Sequence, residues 1–125
     1  MPPLLLVMLG GAAGSAMRYE IGRLTLRHLG PGFPWGTFTV NLLGGLAMGL
    51  LAGALTGVGM TSRPAWLLLG VGVLGGFTTF SSFSFDLFML FQRDQFWLAI
   101  AYTFASVFGA LLLFTIGWSI ARVWT

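Results

Sequence analysis

The stretch Gly75-Gly76-Phe77-Thr78-Thr79-Phe80-Ser81-Ser82-Phe83-Ser84-Phe85 decides the fold. It lies inside an apolar segment long enough to cross a bilayer, and two adjacent glycines precede alternating hydroxyl and phenyl side chains. Glycine pairs loosen a helix, and the β-branched pair Thr78 and Thr79 then favours non-helical backbone. In lipid, a broken helix is tolerated where the freed carbonyls line a cavity or meet a partner. The stretch therefore predicts either a helix break whose carbonyls can hold a cation, or a kinked packing helix filled with aromatics.

The composition places the chain in a membrane. Apolar residues make up 57% of the 125 residues and charged residues 7%, whereas a soluble domain carries roughly 25% charged residues. The net charge of +3 comes from six arginines, which stand singly between apolar blocks. That spacing indicates headgroup anchors rather than a nucleic-acid surface. The absence of cysteine excludes disulfides and thiolate metal sites.

Four membrane spans are predicted, because a bilayer core requires about 20 apolar residues per helix. They run at about 4–19, 35–58, 65–91 and 96–120, and the first is expected to continue as an amphipathic extension to Leu29. The start Met1-Pro2-Pro3 lacks the positive charge of a cleavable signal, so the first span is expected to be retained. The prediction is an all-α integral membrane protein with a break in the third span, forming one domain over residues 1–125.

The second span carries a stripe of small residues and two polar ones. Glycine recurs every four residues, at Gly45, Gly49, Gly53 and Gly57. Such a stripe lets two helix backbones approach closely, so a partner helix is expected there, within the subunit or between subunits. Asn41 and Thr37 lie one turn apart on one face. A buried asparagine in lipid needs a hydrogen-bond partner, so Asn41 is either interhelical glue or an amide donor facing a pore.

The arginines give a weak orientation signal. One side of the membrane would carry Arg63 and Arg122, and the other Arg23, Arg27 and Arg93 with Arg18 at its edge. Because arginine asymmetry sets topology, so small a difference predicts insertion in both orientations. Two oppositely oriented copies would form an antiparallel dimer, and four thin helices are few to enclose a polar path alone.

The available side chains argue against an enzyme and for a passive path. No catalytic set or phosphate-binding loop is present. Proton-coupled transporters keep a mid-membrane acid, whereas here Asp86 is the only candidate and lies toward the end of its span. Neutral donors remain, and they are Thr37, Asn41, Thr78, Thr79, Ser81, Ser82, Tyr102 and Ser106. Together with the positive edges of phenyl rings, such donors could replace the water shell of a small anion, which allows an anion channel without naming the ion.

The chain resembles the Fluc (CrcB) family of fluoride channels over nearly its whole length. The residues that carry the resemblance are Gly10-Gly11-Ala12-Ala13-Gly14 with Arg18-Tyr19, Gly36-Thr37 with Asn41 and Gly44, and Gly75 through Ser84. The last is the most specific of them. The resemblance implies an antiparallel homodimer in the cytoplasmic membrane that passes fluoride selectively and lowers the cytoplasmic fluoride that has entered as the weak acid.

The resemblance also implies roles for individual residues. Two pathways would run along the dimer, one on each side of its two-fold axis. The pathway residues would be Phe80 and Phe83 as rings, Asn41 as amide donor, Tyr102 and Ser106 as the start of a polar track, and Thr37, Thr79 and Ser81 as further hydroxyls. Arg18 would lie near an aqueous vestibule, and a central structural Na⁺ would be held by carbonyls of Gly75 and Thr78 from both subunits. Similar proteins can carry another hydroxyl one turn after Ser106, where this chain has Ala110.

Two other functions are considered. A small dual-topology multidrug exporter would also be a four-helix antiparallel dimer, but it would need a carboxylate in the middle of its first span. This chain has Gly, Ala and Ser there. A non-transporting membrane assembly subunit would need no more than the glycine stripe. Ion flux measured in liposomes distinguishes the three.

Overall fold

The computed structural model describes all 125 residues, and every regular element in it is helical. The elements are α1 (Pro3–Leu29), α2 (Trp35–Leu55), a short 3₁₀ turn (Met60–Ser62), a π-helix (Trp66–Leu74), α3 (Gly75–Phe77), α4 (Phe80–Gln92) and α5 (Phe96–Trp124). Four of the resulting segments are long and apolar enough to cross a membrane. The all-α fold with four spans is therefore confirmed.

The ends of the spans follow local chain chemistry. α1 is one continuous helix of 27 residues, so the amphipathic extension shares an axis with the apolar part. It ends at Gly30, whose positive φ of 79° suits a residue without a side chain, and the Gly30 amide donates to the Leu26 carbonyl. α2 ends at Leu55, three residues before the predicted boundary at Val58.

The glycine stripe of α2 packs against α5 of the same chain. A methyl group placed on Gly49 would lie 2.8 Å from the carbonyl carbon of Phe114, and one on Gly45 would lie 2.8 Å from the Ala110 carbonyl oxygen. Only glycine allows backbones this close. The inclusion of Gly57 in the stripe is wrong, because α2 has already ended and Gly57 sits in the following loop with φ +148°.

The third span is divided into two half-helices. The first half is the π-helix leading into α3, and it packs along α1. The second half is α4, and Thr78 and Thr79 between the halves have extended backbone, with ψ of 157° and 125°. The predicted break is therefore present in the span. It falls on the β-branched pair rather than on the glycines, since Gly75 and Gly76 are helical.

The glycines of the third span serve a different purpose from the one predicted for them. A methyl group on Gly76 would lie 2.6 Å from the carbonyl oxygen of Gly11, and one on Gly10 would lie 2.9 Å from the Cα of Gly72. These residues let α1 approach the first half-helix closely. The side chains before the break are therefore small because a neighbouring backbone lies against them.

Candidate functional site

The break redirects backbone hydrogen bonds that an intact helix would make. In an uninterrupted helix the amide of Thr79 would donate to the Gly75 carbonyl, and that of Ser82 to the Thr78 carbonyl. Here the Thr79 amide donates to the side chain of Asn41 at 2.9 Å, and the Ser82 amide donates to Thr79 Oγ1 at 3.1 Å. The carbonyls of Gly75 and Thr78 thus lose their usual helical donors at the same place.

Asn41 binds Thr79 at both ends of its amide. Its Nδ2 donates to the Thr79 carbonyl at 3.1 Å, while its Oδ1 accepts from the Thr79 amide. The side chain thereby replaces the two hydrogen bonds that an extended residue inside a membrane lacks. Nδ2 carries a second N–H, which has no protein partner, so Asn41 joins helices and also has a donor to spare.

Arg18 donates a hydrogen bond to another carbonyl near the break, that of Gly76. Its Nε donates to the Gly76 carbonyl at 3.0 Å, across from α1 to α3. This carbonyl lies in the last turn of the first half-helix, where the negative end of the helix dipole favours a cation. Arg18 therefore ties α1 to the break.

A groove of about 460 Å³ opens beside the break. Its walls come from α2, α5 and the third span, and its polar lining includes Asn41, Thr78, Thr79 and Ser106. The buried Ser106 hydroxyl has no hydrogen-bond partner in the protein. A buried polar group without a partner is uncommon, and this one belongs to a residue that borders the groove. Ala110 lines the groove further along α5, where it adds no donor.

Phe80 and Phe83 line the same groove with unequal exposure. Their ring centroids are 5.7 Å apart at an interplanar angle of 51°. Phe83 is 6% exposed and belongs to the core, whereas Phe80 is 78% exposed and projects from the protein. Phe83 is thus fixed by its own subunit, while the position of Phe80 depends on what lies against this face.

Tyr102 lies beside the groove without lining it. The residue is fully buried, and its ring packs on Phe83 at 5.0 Å and edge-on to Phe33 at 5.2 Å. Its hydroxyl donates to Asp86 Oδ2 at 2.9 Å. The hydroxyl proton of Tyr102 therefore points to α4, and Ser106 is the member of the predicted track whose hydroxyl is free.

Two further cavities border some of the remaining predicted residues. One of about 400 Å³ is lined by Arg18, Thr37 and Thr79 among others, and one of about 410 Å³ by Thr37 and Asp86. Thr37 thus borders both cavities and not the groove. Ser81 lies on an exposed part of α4, with its Oγ 3.1 Å from Thr79 Oγ1.

The sequence reasoning did not assign Asp86 to the site. Asp86 binds the Tyr102 hydroxyl and lines the cavity next to Thr37. The signal was available, because an ionisable residue within an apolar span marks a functional position by default. Its place near the end of the span, judged by sequence alone, concealed the contact with α5.

These features define a multi-pass membrane protein whose third span is interrupted beside a groove lined by neutral donors and phenyl rings. A family model described as CrcB-like protein, Camphor Resistance (CrcB), matches residues 5–118. The chain belongs to this CrcB family, as the resemblance predicted.

Relatives with curated names cover nearly the whole chain. A protein of Sphingopyxis alaskensis is 53% identical over 85% of this chain and 84% of its own length. One of Phenylobacterium zucineum is 50% identical over 98% and 97% of the two chains, and one of Thermus thermophilus is 48% identical over 91% and 90%. Each of the three is named "Fluoride-specific ion channel FluC".

Proposed function

We propose that this protein is a passive, fluoride-selective ion channel of the cytoplasmic membrane, and not an enzyme. The names of its relatives support this function. The observation that carries it within the structure is the groove, where the unpartnered Ser106 hydroxyl lies among phenyl rings beside the break. The channel lowers cytoplasmic fluoride by letting it leave down its gradient.

The groove is suited to a small dehydrated anion. Phenyl edges carry partial positive charge, and the Ser106 hydroxyl and the spare N–H of Asn41 can each donate to an anion. None of the side chains that line the groove is charged. An anion therefore meets donors strong enough to replace its water and too weak to trap it, which conduction requires. Arg18 and Thr37, at the neighbouring cavity, lie where the anion would exchange with water.

The working unit in this proposal is an antiparallel homodimer with two pathways. The exposed ring of Phe80 and the open side of the groove support a second copy at this face. The weak arginine asymmetry supports the inverted orientation of that copy. In the dimer, Phe80, Phe83, Asn41 and Ser106 line each pathway, with Tyr102 beside them. Thr79 borders both this pathway and the neighbouring cavity, which Thr37 also lines, and Ser81 lies beside Thr79 on α4.

A structural Na⁺ at the centre of the dimer is part of the proposal. The residues present fit such an ion, because the amides that would cap the Gly75 and Thr78 carbonyls are used elsewhere. Carbonyl oxygens are hard ligands that suit hard cations. The ion would hold the two broken spans together and would not be transported.

Fluoride efflux from liposomes containing the purified protein tests the function. We expect fluoride efflux that needs no proton gradient and that exceeds chloride efflux. Proton-coupled drug flux would instead indicate the exporter, and vesicles that stay tight to fluoride would indicate an assembly subunit and overturn the proposal. Protein-free vesicles prepared in the same way serve as the background.

Orientation is tested by biasing the loop charges. Several arginines added to the loops on one side should fix one topology, and the fixed chain alone should not conduct fluoride. Co-expression with a copy fixed in the opposite topology should restore efflux. Full activity from a single-orientation form would contradict the antiparallel dimer.

A further inference from the structure

One peptide group links the groove to the proposed cation site. It joins Thr78 to Thr79, so the Thr78 carbonyl and the Thr79 N–H belong to the same rigid plane. The chain contains no cis peptide bonds, and in a trans peptide these two groups point in opposite directions. Because the Thr79 N–H points to Asn41 Oδ1, the Thr78 carbonyl points away from α2.

Asn41 holds this plane from two sides. Its Oδ1 accepts from the amide before Thr79, and its Nδ2 donates to the carbonyl after Thr79. Rotation of the Thr78–Thr79 peptide would break the first bond and leave a part-buried N–H without a partner, which is unfavourable inside a membrane. The extended conformation of both threonines offers this N–H no helical acceptor in exchange.

The hydrogen bond from the Thr79 amide to Asn41 also increases the partial negative charge on the Thr78 carbonyl oxygen. When an amide N–H donates to an oxygen, the peptide group polarises and its own carbonyl oxygen becomes a stronger acceptor. Groups that orient and polarise a ligand from outside the coordination sphere have large effects on metal affinity in proteins. Asn41 stands in this relation to the Thr78 carbonyl.

We propose that Asn41 is a positioning residue for the central cation, acting through the peptide between Thr78 and Thr79. This inference rests on the Na⁺ of the proposed function. One side chain then belongs to both parts of the channel, since it lines the groove and also sets the direction of the carbonyl that holds the ion. Loss of Asn41 should weaken Na⁺ binding as well as the anion pathway.

The test is a Na⁺ titration of thermal unfolding, with N-methyl-D-glucamine keeping the ionic strength constant. The purified protein should unfold at higher temperature as Na⁺ rises, with a saturable midpoint, because an ion that binds the folded dimer stabilises it. Asn41→Leu removes both hydrogen bonds and should raise the Na⁺ midpoint about tenfold, the change expected from about 1.4 kcal/mol. Asn41→Asp keeps the acceptor for the Thr79 amide, so its midpoint should stay within about threefold of the original.

Ser106→Ala is the matched control. It removes a donor from the same groove without touching Thr79, so the Na⁺ midpoint should not move even if fluoride efflux falls. A general loss of stability would lower the unfolding temperature at every Na⁺ concentration and leave the midpoint in place.

Each outcome decides between proposals. An unchanged midpoint in Asn41→Leu, or an equal rise in Asn41→Asp and Asn41→Leu, overturns the positioning role of Asn41. If Asn41→Leu does not fold, Asn41→Ser takes its place with the same expectation, because serine is too short to reach both groups of Thr79. A natural chain that conducts fluoride but shows no response to Na⁺ overturns the central cation and leaves the channel function standing.

Discussion

The contact between α2 and α5 and the break in the third span are built by opposite means. α2 and α5 pack glycine against backbone, at Gly49 and Gly117, and no side-chain hydrogen bond joins them. At the break, Asn41 of α2 donates a hydrogen bond to the Thr79 carbonyl, and Arg18 of α1 donates one to the Gly76 carbonyl. Helices whose own hydrogen bonds are complete can associate through small residues, whereas an interrupted helix needs polar side chains from its neighbours.

The largest loss of stability is expected at the glycine contact between α2 and α5. Gly49→Val should prevent folding of the purified protein, because the added Cβ would overlap the carbonyl oxygen of Phe114 and the two helices must separate. Overpacking alone costs typically about 1–3 kcal/mol, and backbone contacts cannot move aside as side chains do. Size-exclusion chromatography and thermal unfolding measure the loss.

Gly22→Ala is the control for this change. It also adds a Cβ to a helical glycine, but nothing lies within 4 Å of the new atom. Its unfolding temperature should be unchanged or slightly higher, since alanine favours helix over glycine. A folded Gly49→Val protein with the original unfolding temperature would remove the distinction between the two regions.

The rings beside the break are tested by flux. Phe83→Ile and Phe80→Ile keep apolar bulk but remove the positive ring edge, so fluoride efflux should fall by up to about tenfold, given about 0.5–1.5 kcal/mol per aromatic contact. Liposome efflux is the measurement. Phe88→Ile changes an exposed ring of α4 outside the groove and should leave efflux intact. Undiminished efflux in both ring variants would exclude the rings from the pathway.

The hydrogen bonds at the break are tested at Arg18. Arg18→Ala leaves the Gly76 carbonyl without its donor and should lower the free energy of unfolding by about 1–3 kcal/mol. Denaturation in mixed micelles measures this change. Arg23→Ala provides the control, since Arg23 pairs with Glu20 at an exposed position where an ion pair contributes little. Equal losses of unfolding free energy in the two variants would show that the Arg18 contact stabilises the protein no more than an exposed ion pair does.

The smallest stability effect is expected at Ser106. Ser106→Ala removes a buried hydroxyl that has no partner, so the unfolding temperature should stay level or rise slightly. Fluoride efflux should nevertheless fall, because the pathway loses a donor. Thr103→Ala removes a hydroxyl that already bonds the Ala99 carbonyl, and efflux should be unaffected. A clear loss of stability in Ser106→Ala would mean that the hydroxyl has a structural partner.

The sequence predicted a break or a kink from the pair Gly75 and Gly76 followed by Thr78 and Thr79 in an apolar span. It could not show that Gly75 and Gly76 remain helical, or that Gly76 lies against Gly11 of α1. The π-helix before them was also out of reach, because no local residue pattern distinguishes it from an α-helix. Local chemistry located the interruption, and tertiary packing decided its form.

The candidate site was predictable to a similar extent, because the sequence shows the residue types and not their partners. The need of Asn41 for a partner could be read from its type, and both alternatives, glue and donor, are compatible with its contacts. The identity of that partner could not be read from the sequence, because Thr79 lies 38 residues away. The pairing of Tyr102 with Asp86 depends on how α4 packs on α5, which the sequence does not state.

The pairing of Asn41 with Thr79 has a consequence for biogenesis. Asn41 leaves the ribosome 38 residues before Thr79, so α2 can enter the bilayer while its amide still has no protein partner. An unpaired amide in hydrocarbon is costly, and the extended backbone of Thr79 would be equally costly alone. The Asn41 amide and the Thr79 backbone therefore satisfy each other, and α2 presents a hydrogen-bonding site to the third span when that span emerges.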